Sequence, residues 1–351
     1  MHVVLVLNPG STSTKLAVYN GTKQTAADTI THPSETLKKY KHIWDQFDFR
    51  LEEIRAWIRE QSIQPDAIAA MGGLLKPVTG GIYKVNQTML NDARSNYQGE
   101  HPSNLGCALS HELAIEFRCD AYIVDPVSVD EFEPLARYSG HPHIERRTLS
   151  HALNIHATAR RIADELNIPL DTSSFIIAHL GGGISIAPVK GGKIIDVNDA
   201  SSDGPFSPNR TGGLPLQPFI SLCYSGKYTD HEIRTMVMGK GGLIAYLDTA
   251  SAEEIEKRIA EGDTKAKEIY EAMAYQIAKE IGAMATVLHG KVHAVVLTGG
   301  LAASKMLTGW ITERIKFIAD VKIYPGENEM DALASAVTRV LNGTETVKEY
   351  M

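Results

Sequence analysis

The stretch HVVLVLNPGSTSTKLAVY, residues 2–19, decides how the fold of this chain is interpreted. Five apolar residues lead into Asn8-Pro9-Gly10-Ser11, and a second apolar run follows Lys15. This pattern is typical of a buried strand, a tight turn of small hydroxyl residues and a returning strand. Backbone N–H groups and hydroxyls in such a turn suit a phosphate, whereas the simpler interpretation is an ordinary β-hairpin.

A related pattern occurs again at residues 174–197, SFIIAHLGGGISIAPVKGGKIIDV. A buried strand again meets a turn of small residues, Gly181-Gly182-Gly183, and two further strands are predicted up to residue 197. A third glycine turn, Thr298-Gly299-Gly300, lies between a predicted strand and a predicted helix, which suits a phosphate or nucleotide. Since internal similarity of this kind indicates duplication, we predict two α/β domains of related fold.

The length of the chain and its charge narrow the classes of function. Because 351 residues exceed one ordinary core, we place one domain at residues 1–124 together with 330–351 and the other at residues 125–329. A net charge of −7 without a long basic run argues against nucleic acid or an anionic membrane as a partner. The three cysteines have no disulfide or zinc spacing, and no signal-peptide pattern is present, so we expect a cytoplasmic protein.

Helices are predicted where apolar residues recur at spacings of three and four. The first three such segments are residues 34–62, 105–118 and 145–167. Residues 201–218, rich in proline and glycine, are predicted to form a loop. The chain after this loop is predicted to be mainly helical, with its longest helix at residues 264–289.

Neither common nucleotide-binding motif is present. The chain has no G-x-x-x-x-G-K-[ST] P-loop, and no G-x-G-x-x-G opens a helix after the first strand. In their order and spacing, NPGSTSTK, HLGGGIS and VVLTGGLA resemble the two phosphate motifs and the adenosine motif of the superfamily of acetate and sugar kinases, Hsp70 and actin. The segments GGLLKPVTGGIYKVN, SHALN, SSDGPFSPNRTGGLP and PGENEMDALA resemble more closely the butyrate kinases of the acetate kinase family.

This resemblance extends over essentially the whole chain and implies both a fold and an activity. The fold is two ribonuclease-H-like domains of the actin-like ATPase type, with ATP in a cleft between the domains. The activity is reversible, ATP-dependent phosphorylation of a short-chain fatty acid, such as butyrate or isobutyrate, to an acyl phosphate by direct in-line transfer. ATP or ADP, Mg²⁺ and a homodimer or higher homo-oligomer are implied as well.

The resemblance also assigns roles to single residues. Arg210, His151 and His179 match catalytic positions, and a guanidinium suits the planar phosphoryl group of the transition state. The matched nucleotide positions are Asn8, Ser11, Ser13, Lys15, Gly181, Gly182, Gly183, Gly299 and Gly300. Taken alone, residues of these types have ordinary explanations: a solvated loop arginine, a helix-packing histidine, a cross-strand lysine or a plain glycine turn.

Two acidic residues match the metal site of the family. Asp125 and Glu329, together with Asn8, offer the hard oxygen ligands that Mg²⁺ prefers. Asp331 is an alternative to Glu329. Each acid, taken alone, is equally consistent with a turn residue or a helix cap.

One residue departs from the family pattern on the acyl side of the site, to which the resemblance assigns His101 and Met71. The family has an arginine, in GRGG, where this chain has Met71, in AAMGG. Either Lys76 or Arg210 supplies the charge instead, or activity is weak, or the alignment is shifted by one residue. Met71 itself adds apolar surface to an acyl pocket.

Three other functions fit parts of the pattern. A conformational ATPase similar to Hsp70 or actin needs a peptide-binding domain or a polymerising surface, which the sequence does not indicate. A sugar kinase of this superfamily relies on an aspartate as general base, and no such motif is evident. A pseudoenzyme that binds ATP without turnover has Met71 as its only support.

Overall fold

The computed structural model describes residues 2–351, which form two compact units. Unit 1 consists of the chain up to Asp130 together with Asn328–Met351, and unit 2 is Glu131–Glu327. The boundaries that we expected from the sequence lie a few residues away. As a result, Asp125 and Glu329, which the expected boundaries placed in the second domain, lie in unit 1.

Unit 1 contains a seven-stranded sheet whose first three strands form a meander. The strands are β1 (Val3–Pro9), β2 (Ser13–Asn20), β3 (Lys23–Thr31), β4 (Ala67–Met71), β5 (Ile82–Lys84), β6 (Asp120–Val124) and β14 (Val347–Lys348). Their order in the sheet is β14-β5-β6-β4-β1-β2-β3. β1 pairs antiparallel with β2, opposing Leu5 to Val18, and parallel with β4 on its other side. Because β1 and β4 are flanked by strands and covered on both faces, they are apolar almost throughout.

The helices of unit 1 are α1 (Ser34–Leu37), α2 (Phe47–Glu60), α3 (Gln87–Arg94), α4 (Asn104–Phe117) and α12 (Glu329–Leu341). The single helix predicted at residues 34–62 is therefore interrupted. A new 3-10 turn begins after His42, whose backbone N–H donates to the Asp45 carboxylate at 3.0 Å and is capped by it. The chain end is also fixed, since the buried Tyr350 hydroxyl donates to Asp92 at 2.9 Å.

Unit 2 contains a five-stranded sheet with the same connectivity as part of the first. Its strands are β9 (Ser174–Leu180), β10 (Ile184–Lys190), β11 (Lys193–Ile194), β12 (Ala294–Gly299) and β13 (Val321–Pro325). The order β11-β10-β9-β12-β13 repeats the order β3-β2-β1-β4-β6 of unit 1, with three antiparallel strands followed by two parallel ones. The prediction of a duplicated α/β fold is thus confirmed. The third predicted strand ends at Ile194 instead of residue 197. Pro188, opposite Ile195, has no N–H to donate, and the Ile195 carbonyl accepts the Glu133 N–H at 3.0 Å instead.

The helices of unit 2 are α5 (Ala152–Leu166), α6 (Leu216–Cys223), α7 (Asp230–Val237), α8 (Gly242–Leu247), α9 (Ala252–Ala260), α10 (Thr264–Val287) and α11 (Lys305–Ile315). The prediction that a helix begins at residue 145 was wrong. Glu145 instead pairs with Tyr138 in a small hairpin of β7 (Tyr138–His141) and β8 (Ile144–Glu145). Within residues 2–351, no helix is both long enough and apolar enough to span a membrane.

Candidate active site

The first phosphate turn joins β1 to β2 and carries four of the predicted nucleotide residues. Asn8 lies directly across the pair of strands from Lys15, so the two side chains share one face of the sheet. Ser11 is exposed, and Ser13 is partly exposed where β2 begins. The structure therefore brings the polar groups of this motif together at one end of the hairpin.

A buried arginine that the sequence analysis did not identify lies beneath this turn. Arg50, on α2, has no solvent exposure, and its guanidinium donates to the carbonyl oxygens of Gly10 at 2.8 Å, Ser11 at 3.3 Å and Ser13 at 3.3 Å. Burial lowers the pKa of Arg50 to about 10, so it is charged at neutral pH. The sequence feature that could have identified Arg50 is its position on the apolar face of α2, where the other residues at spacings of three and four are apolar.

The two acidic candidates of α12 lie in different surroundings. Glu329 accepts a hydrogen bond from the side-chain amide of Asn8 at 2.7 Å. Asp331 lies beside Tyr19 instead, where burial and then this carboxylate raise the pKa of the Tyr19 hydroxyl. The structure therefore favours Glu329 over Asp331 as the partner of Asn8.

Asp125 follows β6 in a strained backbone conformation, with φ of 40°. Its Oδ1 accepts the Gly81 N–H at 2.6 Å. Among residues 2–351 no three His, Cys, Asp or Glu side chains are grouped as a metal site would require. The donors nevertheless fit Mg²⁺, because this ion is commonly held by one or two carboxylates, waters and substrate phosphates.

The predicted acyl-side residues lie near the N-terminal end of α4. Met71 is the last residue of β4 and is only 8% exposed. Gly106 of α4 packs against it so closely that a Cβ there would lie 2.1 Å from the Met71 carbonyl oxygen. His101 is exposed in the preceding turn, and its Nδ1 accepts the Ser103 N–H at 3.2 Å.

Lys76 is engaged in an ion pair and is not available to replace the missing arginine. Its ammonium lies 3.0 Å from the carboxylate of Asp92, which also accepts the Tyr350 hydroxyl. An ammonium already paired with a carboxylate supplies little net charge to a phosphoryl group. The structure thus argues against Lys76 as the cation that compensates for Met71.

In unit 2 the second phosphate turn, Gly181–Gly183, is packed directly against Arg210. A Cβ on Gly183 would lie 2.3 Å from Arg210 Nη1, so only glycine leaves room for the guanidinium. Arg210 Nη1 donates to the Ala200 carbonyl at 2.7 Å. Ser207, from the same loop, donates its hydroxyl to the Gly182 carbonyl at 2.5 Å. The predicted loop thus brings its arginine to the glycine turn, and Ser207 is a further residue that sequence reasoning missed.

His151 and His179 form a stacked pair in the same unit, with ring centroids 3.9 Å apart and ring planes 11° apart. The Nδ1 of His151 lies 2.9 Å from Ser185 Oγ, and that oxygen also accepts the His151 backbone N–H at 3.4 Å. A hydroxyl has one donor and two acceptor lone pairs, so Ser185 Oγ both accepts this backbone N–H and pairs with Nδ1 in either tautomer of the ring. Ser185 was not predicted, although it lies within the HLGGGIS motif.

Both rings are uncharged at neutral pH. Burial lowers the pKa of His151 to about 4, and the neighbouring charge of Arg210 contributes to the same direction. Burial, followed by the proximity of His151, lowers the pKa of His179 well below its ordinary value. Burial also lowers the pKa of Arg210, whereas the nearby Asp199 opposes this shift. The cluster therefore combines one cation with two neutral hydrogen-bonding rings.

Three buried polar atoms around this turn have no hydrogen-bond partner among the residues that the structure describes: His179 Nδ1, Asn209 Oδ1 and Arg210 Nε. Buried polar atoms without partners are uncommon and call for a bound group or water. The two nitrogens, of Arg210 and His179, suit a phosphate-bearing ligand as donors, whereas the Asn209 oxygen is an acceptor and needs a donor from the ligand or from water. Asn209, which faces Gly182, is an additional candidate contact.

The third turn, which follows β12, is shaped by Gly299. Its φ is 90°, and a Cβ would lie 2.4 Å from the Leu180 carbonyl oxygen, so only glycine is tolerated there. A Cβ on Gly300 would meet no atom within 4 Å, which leaves the backbone open to a ligand. A 3-10 turn, Gly300–Ala303, separates this strand from α11, so the helix starts slightly later than predicted.

Comparison with known proteins gives the family. Residues 135–335 match the acetokinase family. The chain belongs to this family. It is 52% identical, over the whole of both chains, to a protein of Caldanaerobacter subterraneus subsp. tengcongensis named probable butyrate kinase 2. It is 47% identical, over 99% of both chains, to butyrate kinase 2 of Clostridium acetobutylicum.

Solved structures of acetokinase relatives show the same fold. The acetate kinase of Porphyromonas gingivalis matches with a TM-score of 0.79 at 17% identity, over 97% of this chain and 100% of that one. A propionate kinase from Francisella tularensis matches with a TM-score of 0.78 at 17% identity, over 96% and 99%. The actin-like ATPase fold predicted from the motifs is thereby confirmed. As a member of the acetokinase family, the chain is a carboxylate kinase that uses ATP or ADP with a divalent metal.

The low pKa of His151 predicts how the stability of the folded protein depends on pH. The unfolded chain takes up a proton on this residue as the pH falls below its ordinary value of 6.5, whereas the folded protein does not until about 4. Above pH 6.5 the protonation of His151 therefore does not change the free energy of unfolding. As the pH falls from 6.5 to about 4, it progressively lowers the free energy of unfolding. We expect the unfolding midpoint of His151→Asn in urea to depend less steeply on pH over this range than that of the wild type.

The matched control is His231→Asn, because His231 is an exposed histidine on α7 of the same unit. It should leave the pH dependence unchanged. Parallel midpoint curves for the wild type and His151→Asn would contradict the expectation.

Proposed function

We propose that the protein phosphorylates a short-chain fatty acid, butyrate or a branched analogue such as isobutyrate, at its carboxylate. The products are an acyl phosphate and ADP, and the reaction is reversible. The observation that carries this proposal is the cluster of Arg210, His151 and His179 against the second phosphate turn. The names of the full-length relatives support the choice of butyrate.

We propose the following division of binding roles. ATP is bound by Asn8, Ser11, Ser13 and Lys15 of unit 1 and by the glycines at 181–183 and 299–300 of unit 2. Mg²⁺ is held through Glu329 and Asp125, with Asn8 beside Glu329. His101 and Met71 face the acyl substrate.

Arg210 neutralises the negative charge that develops on the phosphoryl group during transfer, and a planar guanidinium suits three equatorial oxygens. His151 is neutral at neutral pH, and in the tautomer whose Nδ1 accepts the Ser185 hydroxyl proton it donates a hydrogen bond from Nε2. ATP supplies the phosphoryl group. No side chain acts as general base, because a carboxylate acceptor is already ionised at neutral pH.

We further propose that the protein is cytoplasmic and forms a homodimer or a higher homo-oligomer. The cysteines Cys107, Cys119 and Cys223 are unpaired, which suits a reducing compartment. The apolar helix α6 and its flanks expose Leu216, Ile220 and Tyr224, and exposed apolar patches commonly mark association surfaces. Light scattering should give at least twice the 38.3 kDa of one chain, and a monomeric mass at micromolar concentration would contradict self-association.

The activity is tested by trapping acyl phosphate with hydroxylamine in the presence of ATP, Mg²⁺ and a panel of acids with two to six carbons. We expect acyl hydroxamate, with the largest amount from butyrate or isobutyrate. Arg210→Lys keeps the charge but loses the planar fork, and should lower kcat by about a hundredfold. Clear binding of ATP without hydroxamate from any acid would contradict the proposal.

Met71 offers a second test, which concerns the missing arginine. In Met71→Arg a guanidinium is restored at the family position, and we expect kcat to rise by about tenfold or more, as for an added charge-stabilising donor. Met71→Gln, of similar length but uncharged, is the control and should give no gain. An unchanged or lower rate in Met71→Arg would mean that the arginine position of the family is not aligned with Met71.

A further inference from the structure

Two peptide groups of the first phosphate turn, Gly10–Ser11 and Ser11–Thr12, are oriented by the buried Arg50. The Arg50 guanidinium donates hydrogen bonds to the carbonyl oxygens of Gly10 at 2.8 Å and Ser11 at 3.3 Å. In a trans peptide the N–H of the next residue points opposite to the carbonyl. The amides of Ser11 and Thr12 therefore face away from the guanidinium, on the outer side of the turn.

These two amides are unoccupied within the protein. Among residues 2–351 neither the Ser11 nor the Thr12 N–H donates a hydrogen bond, whereas the Gly10 N–H on the same turn donates to the Ser13 carbonyl. Ser11 and Thr12 are both exposed. Successive outward N–H groups in a turn form a concave site that favours an anion.

Arg50 itself has no donor left for a ligand. Besides the turn carbonyls, its guanidinium donates to Thr14 Oγ1 at 3.2 Å and to Gln46 Oε1 at 2.8 and 3.0 Å. A fully buried guanidinium with all of its donors used acts on a ligand only through the groups that it holds. This distinguishes Arg50 from Arg210, whose Nε has no partner in the part of the chain described.

We infer that Arg50 is the positioning residue of the first phosphate motif, fixing the turn so that the Ser11 and Thr12 amides bind the phosphates of ATP. This inference rests on the proposed function and adds the residue on which the unit 1 half of nucleotide binding depends. A lysine cannot replace it, because a single ammonium cannot reach three carbonyls, a hydroxyl and an amide oxygen at once. The backbone amides, rather than the serine hydroxyls alone, are the ligand-binding groups.

The test compares Arg50→Lys with Arg59→Lys, an exposed arginine on the same helix, in binding to MgATP and to adenosine by calorimetry. We expect Arg50→Lys to raise the dissociation constant for MgATP about tenfold, with the affinity for adenosine unchanged. Arg59→Lys should match the wild type for both ligands. Equal MgATP affinities in the two variants, or an equal loss for adenosine and MgATP in Arg50→Lys, would overturn the inference.

A measurement on the wild type avoids any dependence on how well the variant folds. The amide resonances of Ser11 and Thr12 should shift downfield on titration with MgATP and remain in place with adenosine. Unshifted resonances at saturating MgATP would overturn the inference alone. A wild-type protein that binds no MgATP would instead overturn the proposed function on which the inference rests.

Discussion

Turn carbonyls that bind to buried side-chain donors are the interaction on which both phosphate motifs depend. In unit 1 the donor is Arg50, which holds the carbonyls of Gly10, Ser11 and Ser13. In unit 2 it is Ser207, which holds the carbonyl of Gly182. Because a peptide cannot turn its carbonyl inward without turning its N–H outward, the same contacts that stabilise the turns leave amides available to an anion.

The duplicated strand order explains why a turn with its carbonyl bound by a buried donor occurs in both units. In each unit a meander hairpin ends in a tight turn, and a parallel strand lies beside its first strand. The buried partners differ, since a helix supplies Arg50 in unit 1 and a loop supplies Ser207 in unit 2. The loop also carries Arg210, so the second turn combines an anchor with a cation. The two turns thus have the same backbone arrangement, but within the described residues only the second has an arginine, Arg210, with a side-chain nitrogen left for a ligand.

Much of the fold could be predicted from the sequence, because alternation, glycine turns and helical spacing are local signals. The two meanders and the strand before Gly299 follow from such patterns. The helix predicted from residue 145 was wrong because Glu145 pairs with Tyr138, a contact that local spacing does not encode. Arg50 was missed for the same reason: its partners lie far back in the chain, and only burial reveals its role.

The two histidines at the second phosphate turn do not titrate near neutral pH. His151 and His179 are uncharged, and Arg210 is the cation in contact with the second turn. In unit 1, Lys76 is paired with Asp92. Such a site positions reactants and neutralises charge, and none of its side chains needs to take up the phosphoryl group.

The stereochemical course at phosphorus tests this central claim most directly. With ATP made chiral at the γ-phosphorus by oxygen isotopes, a single in-line transfer to the carboxylate inverts the configuration. Our account predicts inversion in the isolated acyl phosphate. Retention would require two successive transfers, with a side chain such as His151 or His179 as the intermediate acceptor, and would contradict it.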